Sequence, residues 1–167
     1  MTMVVLPREG AIQALRARRG VALTLDVWAS ATASQYGYVE LIPAAGWRYI
    51  VERLLLRTGQ GSWMRWAAGY VSATPSGFTQ QDLKNGMPFD SSQAANTNVS
   101  AKAGVRTGYA VTWTTGGDVF ASNFADRQEL VLPRPIVVRG GGRLGLQAYV
   151  TNADFGVVFD GFLEADV

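Results

Sequence analysis

The sequence is dominated by short runs of alternating apolar residues, each introduced by a proline or a glycine-containing turn. Two runs show this most clearly: LIPAAGWRYIVERLLL over 41–56 and LVLPRPIVVRGGGRLGLQAY over 130–149. Turn formers followed by period-two alternation are typical of strands in a two-layer antiparallel fold. The pattern predicts an all-β chain, with a single antiparallel β-sandwich of jelly-roll type and about ten strands over residues 21–167.

The positions of the individual strands follow from the same alternation. We expect strands over 21–28, 36–42, 49–57, 62–71, 99–105, 106–115, 119–123, 129–132, 136–139, 143–150 and 155–164. Between the fourth and fifth of these, residues 72–98 are polar and rich in turn formers, which predicts a long loop. Within it, Asn85-Gly86 favours a tight turn and 81–84 a single helical turn.

Composition limits the chemistry that the chain can carry out. The 167 residues include neither cysteine nor histidine. Nucleophilic catalysis by a Ser-His or Cys-His pair is thereby excluded, as are the usual zinc and haem sites. We expect no enzymatic activity, no metal and no cofactor. One alternative stays open, a glycan hydrolase built from two carboxylates; its candidates are Asp118, Asp126, Glu129, Asp154 and Asp160.

The first twenty residues differ from the rest of the chain. Residues 10–20 have the pattern of a short helix that ends in arginines and a glycine, so residues 1–20 are predicted to form a helical arm. Its arginines are candidates for docking on a partner protein: Arg8, Arg16, Arg18 and Arg19. The beginning of the chain does not resemble a signal peptide, and no apolar run is long enough to span a membrane. A net charge of +2 argues against a dedicated nucleic-acid binder.

The final strand pattern carries apolar residues on both faces. Phe155, Val157 and Phe159 alternate with Val158 and Phe162. A strand that is apolar on both sides fits either the middle of a sandwich or a contact between subunits. We therefore predict an oligomer interface that includes Phe155, Val158 and Phe162.

Aromatic residues interleave with arginines between positions 47 and 70. Aromatic rings on one face of a sheet bind sugars by stacking, and they equally form core layers. As the alternative to a core role, Trp63, Trp66 and Tyr70 are candidate glycan-binding residues.

The two segments 41–56 and 130–149 also resemble the sequences of a known protein family. P-A-A-G-aromatic-R, beginning at Pro43, and P-I-V-V-x-x-G-x-x-L-x-L, beginning at Pro135, resemble the small jelly-roll proteins of tailed-phage virions. The resemblance extends over about 21–164 and brings no catalytic residues with it. It implies a virion structural protein assembled in the host cytoplasm, typically as a homotrimer. A capsid decoration (cement) protein bound to the major capsid protein ranks first, and a receptor- or carbohydrate-binding module of a tail or head spike is the alternative.

Overall fold

A computed structural model describes residues 20–59, 63–88, 94–108, 111–114, 121–125, 127–149 and 152–166. All regular structure in these ranges is β-strand, and no helix occurs among them. The strands are β1 (Val21–Ser30), β2 (Gln35–Pro43), β3 (Trp47–Thr58), β4 (Trp63–Val71), β5 (Phe78–Pro88), β6 (Asn96–Thr107), β7 (Ala121–Ala125), β8 (Arg127–Arg139), β9 (Arg143–Tyr149) and β10 (Asp154–Ala165). The part of the chain that the structure describes contains no helix long and apolar enough to cross a bilayer.

All strand pairs are antiparallel, and eight of the strands pair in a nested order. β1 pairs with β10, β2 with β9, β3 with β8 and β4 with β7. Further pairing joins β10 to β3 and β4 to β9. We call β1–β10–β3–β8 the front half and β7–β4–β9–β2 the back half.

The β5–β6 hairpin connects the two halves. β6 pairs with β2 of the back half, and the end of β5 pairs with β1 of the front half through Leu23 and Thr24. The result is one curled ten-stranded sheet in the order β7-β4-β9-β2-β6-β5-β1-β10-β3-β8. The prediction of an antiparallel all-β chain is confirmed, whereas the two separate sheets of a sandwich are not confirmed.

The core lies between the two halves and follows the period-two alternation of the strands. In β1, for example, Leu23, Leu25 and Val27 are buried while the residues between them face outward. Trp66 of β4 packs edge-on against Phe155 of β10, with ring centroids 6.4 Å apart. A Cβ added to Gly37 would lie 2.8 Å from the Phe155 ring, so only glycine lets the halves approach this closely.

The outward side of the back half is also covered, by the connections 72–77 and 111–114. Tyr38, Val71 and Val111 form a second buried cluster there, with Phe78 and Trp113 against it. Glu40 is fully buried in this layer, and it accepts hydrogen bonds from Thr74 (2.7 Å) and Arg143 (3.2 Å). Thr74 also accepts a hydrogen bond from Arg143 (3.0 Å), so its hydroxyl fastens the connection 72–77 to β2 and β9.

Several predicted element bounds are wrong. Most of the predicted 72–98 loop is ordered as β5 and the start of β6, so the expected helical turn at 81–84 lies within a strand. β5 was not predictable from alternation because most of its side chains are exposed on both faces. Of the strand predicted over 106–115, residues 106 and 107 belong to the end of β6 and the described residues 111–114 are not in a strand, while 109, 110 and 115 lie outside the described residues. The predicted strands at 129–132 and 136–139 are one strand with a register shift opposite β3. The helix predicted at 10–20 lies, apart from Gly20, outside the described residues.

Candidate functional site

The outward side of the front half carries exposed and partly exposed side chains on each strand, and we call it the outer face. Cross-strand register arranges its side chains in rows. One row is apolar across all four strands and consists of Ala22, Phe162, Ile50 and Val137. Another row places Val158 beside Leu55, between Asp26 and Glu129. In the row between these two, Val131 lies opposite Arg53 and is 74% exposed. Val137 and Val131 are exposed, whereas Ala22, Phe162 and Val158 are partly exposed and Ile50 is buried among its neighbours. The outer face thus presents some apolar side chains where a soluble surface is normally polar.

Ion pairs separate and border the apolar rows. Arg53 donates to Asp160 and, at 3.1 Å, to Glu129, and these hydrogen bonds raise the pKa of the guanidinium above its usual value. Arg57 pairs with Asp26. At the other end, Asp166 lies between Arg48 and Arg139, and Arg48 also donates to Glu164 at 2.6 Å. Because arginines and carboxylates nearly balance, the outer face carries little net charge.

The sequence-predicted interface residues divide between two environments. Val158 and Phe162 are partly exposed on the outer face, as the alternation predicts. Phe155 is only 2% exposed and belongs to the core, so it is not accessible to a second subunit. The interface therefore stays a prediction for Val158 and Phe162. The arm residues Arg8, Arg16, Arg18 and Arg19 lie outside the described residues.

The predicted aromatic site is not brought together on the surface. Trp66 is fully buried against Phe155 and cannot stack on a sugar. Tyr70 is half-buried, and its hydroxyl donates to the carbonyl of Val137 (3.3 Å); burial raises the pKa of this hydroxyl. The side chain of Trp63 lies outside the described part of the structure.

Trp28 is the exposed aromatic that the sequence interpretation missed. It is 56% exposed on the outer face, at the end of β1. A signal for it exists in the sequence: Leu23, Leu25 and Val27 define the inward positions, so Trp28 must point outward with Thr24 and Asp26. Two cavities of about 430 and 340 Å³ flank it.

The candidate catalytic carboxylates are engaged in structural contacts where they are described. Glu129 and Asp160 share Arg53, and Asp154 accepts a hydrogen bond from Ser30. Asp118 and Asp126 lie outside the described residues. No group of three His, Cys, Asp or Glu side chains able to hold a metal occurs within the described ranges.

Comparison with known proteins adds little to this geometry. No family model matches the chain, and no curated protein matches it in sequence. Among solved structures, the tripod (BppUct-A-L) from the baseplate of bacteriophage Tuc2009 is similar at 16% identity, with 89% of this chain and 70% of that chain covered. Its TM-score is 0.20, so the likeness carries no argument about fold or function.

Proposed function

We propose that this chain is a structural protein of a tailed-phage virion that assembles into a homo-oligomer and acts by binding, without catalysis. The outer face is the observation on which the proposal depends. Apolar rows that are separated and bordered by arginine–carboxylate pairs fit a protein interface, in which apolar residues and arginine are common. The occupant that we favour is a second copy of this chain, because a nearly neutral face meets its own copy without charge repulsion.

The strand pairing supports the same class of protein. Among the eight strands other than β5 and β6, the first strand pairs with the last (β1 with β10), and the pairs β2–β9, β3–β8 and β4–β7 follow in the same nested order. We interpret this nested order as a jelly roll whose open side is closed by the hairpin. Jelly rolls occur in viral capsid proteins and lectins, so the fold limits the function without deciding it.

The two phrases that carry the family resemblance meet at one end of the fold. The turn after Pro43 and the turn at 139–142 are adjacent, since the N–H of Gly140 donates to the carbonyl of Trp47 (2.7 Å). A Cβ on Gly140 would lie 2.3 Å from the Ala44 carbonyl oxygen, which explains why glycine is needed there. The two segments therefore form one structural unit. This strengthens the family resemblance on which the proposed virion role rests.

Within the virion we place the chain as a capsid decoration protein that binds the major capsid protein. Two observations favour this role over a sugar-binding tip built on Trp63 and Trp66. Trp66 is a core residue, and the polar segment from Phe78 onward is held in the sheet by backbone hydrogen bonds to β6. A decoration protein needs such a rigid body and an adhesive segment, which we assign to the basic arm over residues 1–19.

Deletion of residues 1–19 tests this role. The shortened chain retains every described strand, so we expect it to fold and to keep the oligomeric state of the full chain. Attachment to undecorated capsids of the encoding phage, measured by co-sedimentation, should be lost. Full-length protein should also raise the melting temperature of those capsids, because a ligand of the assembled shell stabilises it. Unchanged co-sedimentation after the deletion would contradict the assignment of the arm.

A further inference from the structure

Trp28 forms the wall between two cavities on the outer face. It lines both the cavity of about 430 Å³ and the cavity of about 340 Å³, so both have an indole surface on one side. These volumes fall in the range of about 300–1,000 Å³ that is typical of small-molecule sites. Trp28 lies in a different cross-strand row from the apolar row that contains Val137, separated from it by the rows of Asp26 and Thr24.

The larger cavity exists because one cross-strand row lacks a side chain. Trp28, Gly156 and Arg57 are neighbours in register, so Gly156 leaves a hollow between the indole and the guanidinium. A Cβ at Gly156 would lie 2.9 Å from the Val27 carbonyl oxygen and 3.1 Å from the Trp28 Cβ. Asp26, Thr58 and Asp154 complete the polar lining.

The smaller cavity is a slot between β1 and β5. The backbones of these strands pair only at Leu23 and Thr24. Farther along, β5 side chains take over the pairing: the N–H of Trp28 donates to Asp82 (3.3 Å), and Ser30 exchanges hydrogen bonds with Gln81 (3.0 and 3.1 Å). The main chain that carries Trp28 is therefore fixed on both sides, which prepares the ring for binding at a low entropy cost.

The charges around Trp28 compensate one another. Asp26 pairs with Arg57, and Asp82 lies 3.5 Å from Lys84. Asp154 adds one carboxylate, so the surroundings offer many hydrogen-bonding groups and no excess positive charge. An acidic ligand gains nothing from such a site, whereas a neutral molecule with hydroxyl groups and one apolar face fits it. Besides Trp28, the apolar side chain that lines the larger cavity is Phe155, which is only 2% exposed. The indole therefore lacks the ring of packed apolar contacts that normally surrounds a protein hot spot.

We propose that Trp28 is the stacking platform of a binding site for neutral saccharides. The pyranose ring lies against the indole, and its hydroxyls hydrogen-bond with Asp154, Arg57 and, in the slot, Asn85. This site differs from the one expected around Trp63 and Trp66. It is separated by two cross-strand rows from the apolar row that contains Val137, so loss of saccharide binding in Trp28→Ala and loss of self-association in Val137→Asp are independent outcomes.

The test is binding to an array of neutral and acidic saccharides, followed by calorimetric titration with maltotriose, methyl β-D-galactopyranoside and the strongest array ligand. We expect saturable binding of at least one neutral saccharide. Trp28→Ala should weaken it by roughly tenfold or more, because an aromatic contact and its buried area are lost. Trp28→Tyr should restore part of the affinity, and the matched control Val131→Ala should leave it unchanged.

Several results would contradict saccharide binding at Trp28. Binding of acidic saccharides alone, or of no saccharide, would overturn the proposal, as would undiminished affinity in Trp28→Ala. A loss of oligomerisation in Trp28→Ala without any saccharide binding would show that the indole contacts protein instead. Because the Trp28 side chain is exposed, its removal should leave the melting temperature nearly unchanged, which a thermal scan of each variant checks.

Discussion

Replacement of the buried carboxylate Glu40 by glutamine should destabilise the protein substantially. Glu40 has no exposed surface, and it accepts hydrogen bonds from Thr74, Arg143 and, at 3.4 Å, the hydroxyl of Tyr38. Loss of one member of a buried pair costs about 3–5 kcal/mol. An amide still accepts from Thr74, and the Arg143 side chain is 27% exposed and gains water, so we expect about 2–3 kcal/mol.

Glu129→Gln is the matched control for this experiment. Its carboxylate also pairs with an arginine, Arg53, yet the Glu129 side chain is 49% exposed. Exposed pairs contribute about 0–1 kcal/mol. For a domain of this size, 1 kcal/mol corresponds to about 2–4 °C in melting temperature, so Glu40→Gln should lower it by about 4–12 °C. Urea unfolding at constant protein concentration measures the difference, and equal effects of the two substitutions would refute the reasoning.

Three further substitutions test the core. Phe155→Ala should cost about 3–5 kcal/mol of unfolding free energy in a urea titration, because it removes the ring that packs on Trp66; a loss below about 1 kcal/mol would place the ring outside the core. Gln147→Leu should be neutral or stabilise by about 1 kcal/mol in the same assay, since neither polar atom of the buried amide has a hydrogen-bond partner among the residues that the structure describes. Marked destabilisation would argue against this. Burial raises the pKa of Tyr49, so the folded state keeps its hydroxyl protonated while the unfolded chain ionises near pH 10. Ionisation of Tyr49 therefore does not affect stability below about pH 10 and lowers it above that pH, and Tyr49→Phe should reduce the alkaline slope.

The strands with a buried face were predictable from the sequence, and the hairpin that joins the halves was not. Alternation in β1 and β10 reports which side faces the core, because one-sided burial imposes a period of two. β9 alternates in sequence too, but both of its faces are buried because the connections 72–77 and 111–114 cover the back half. β5 is stabilised by backbone pairing with β6 and has few buried side chains, so no alternation marks it. Its polar composition is that of a loop, and only the structure shows it as a strand.

The sequence predicts where a candidate site residue lies only as far as alternation shows which face of its strand it occupies. The alternation of β10 assigned Val158 and Phe162 to one face, but whether Phe155 meets solvent or a second layer depends on which strand lies opposite. Trp66 became a core residue through its contact with Phe155, a long-range contact that spacing along the chain does not encode. Trp28 could have been identified as an outward residue, although its two cavities depend on Gly156 and on the separation of β5 from β1.

The mass of the assembly in solution tests the role of the outer face most directly. We expect light scattering at micromolar concentration to show a closed oligomer, most simply a trimer. A charge placed on the outer face, in Val158→Asp or Val137→Asp, should shift it to monomer without unfolding it, because an unpaired buried charge is costly in an interface. Leu83→Asp, at an exposed apolar position on β5, should leave the mass unchanged. A stable wild-type monomer, or an oligomer that both outer-face variants preserve, would contradict the account.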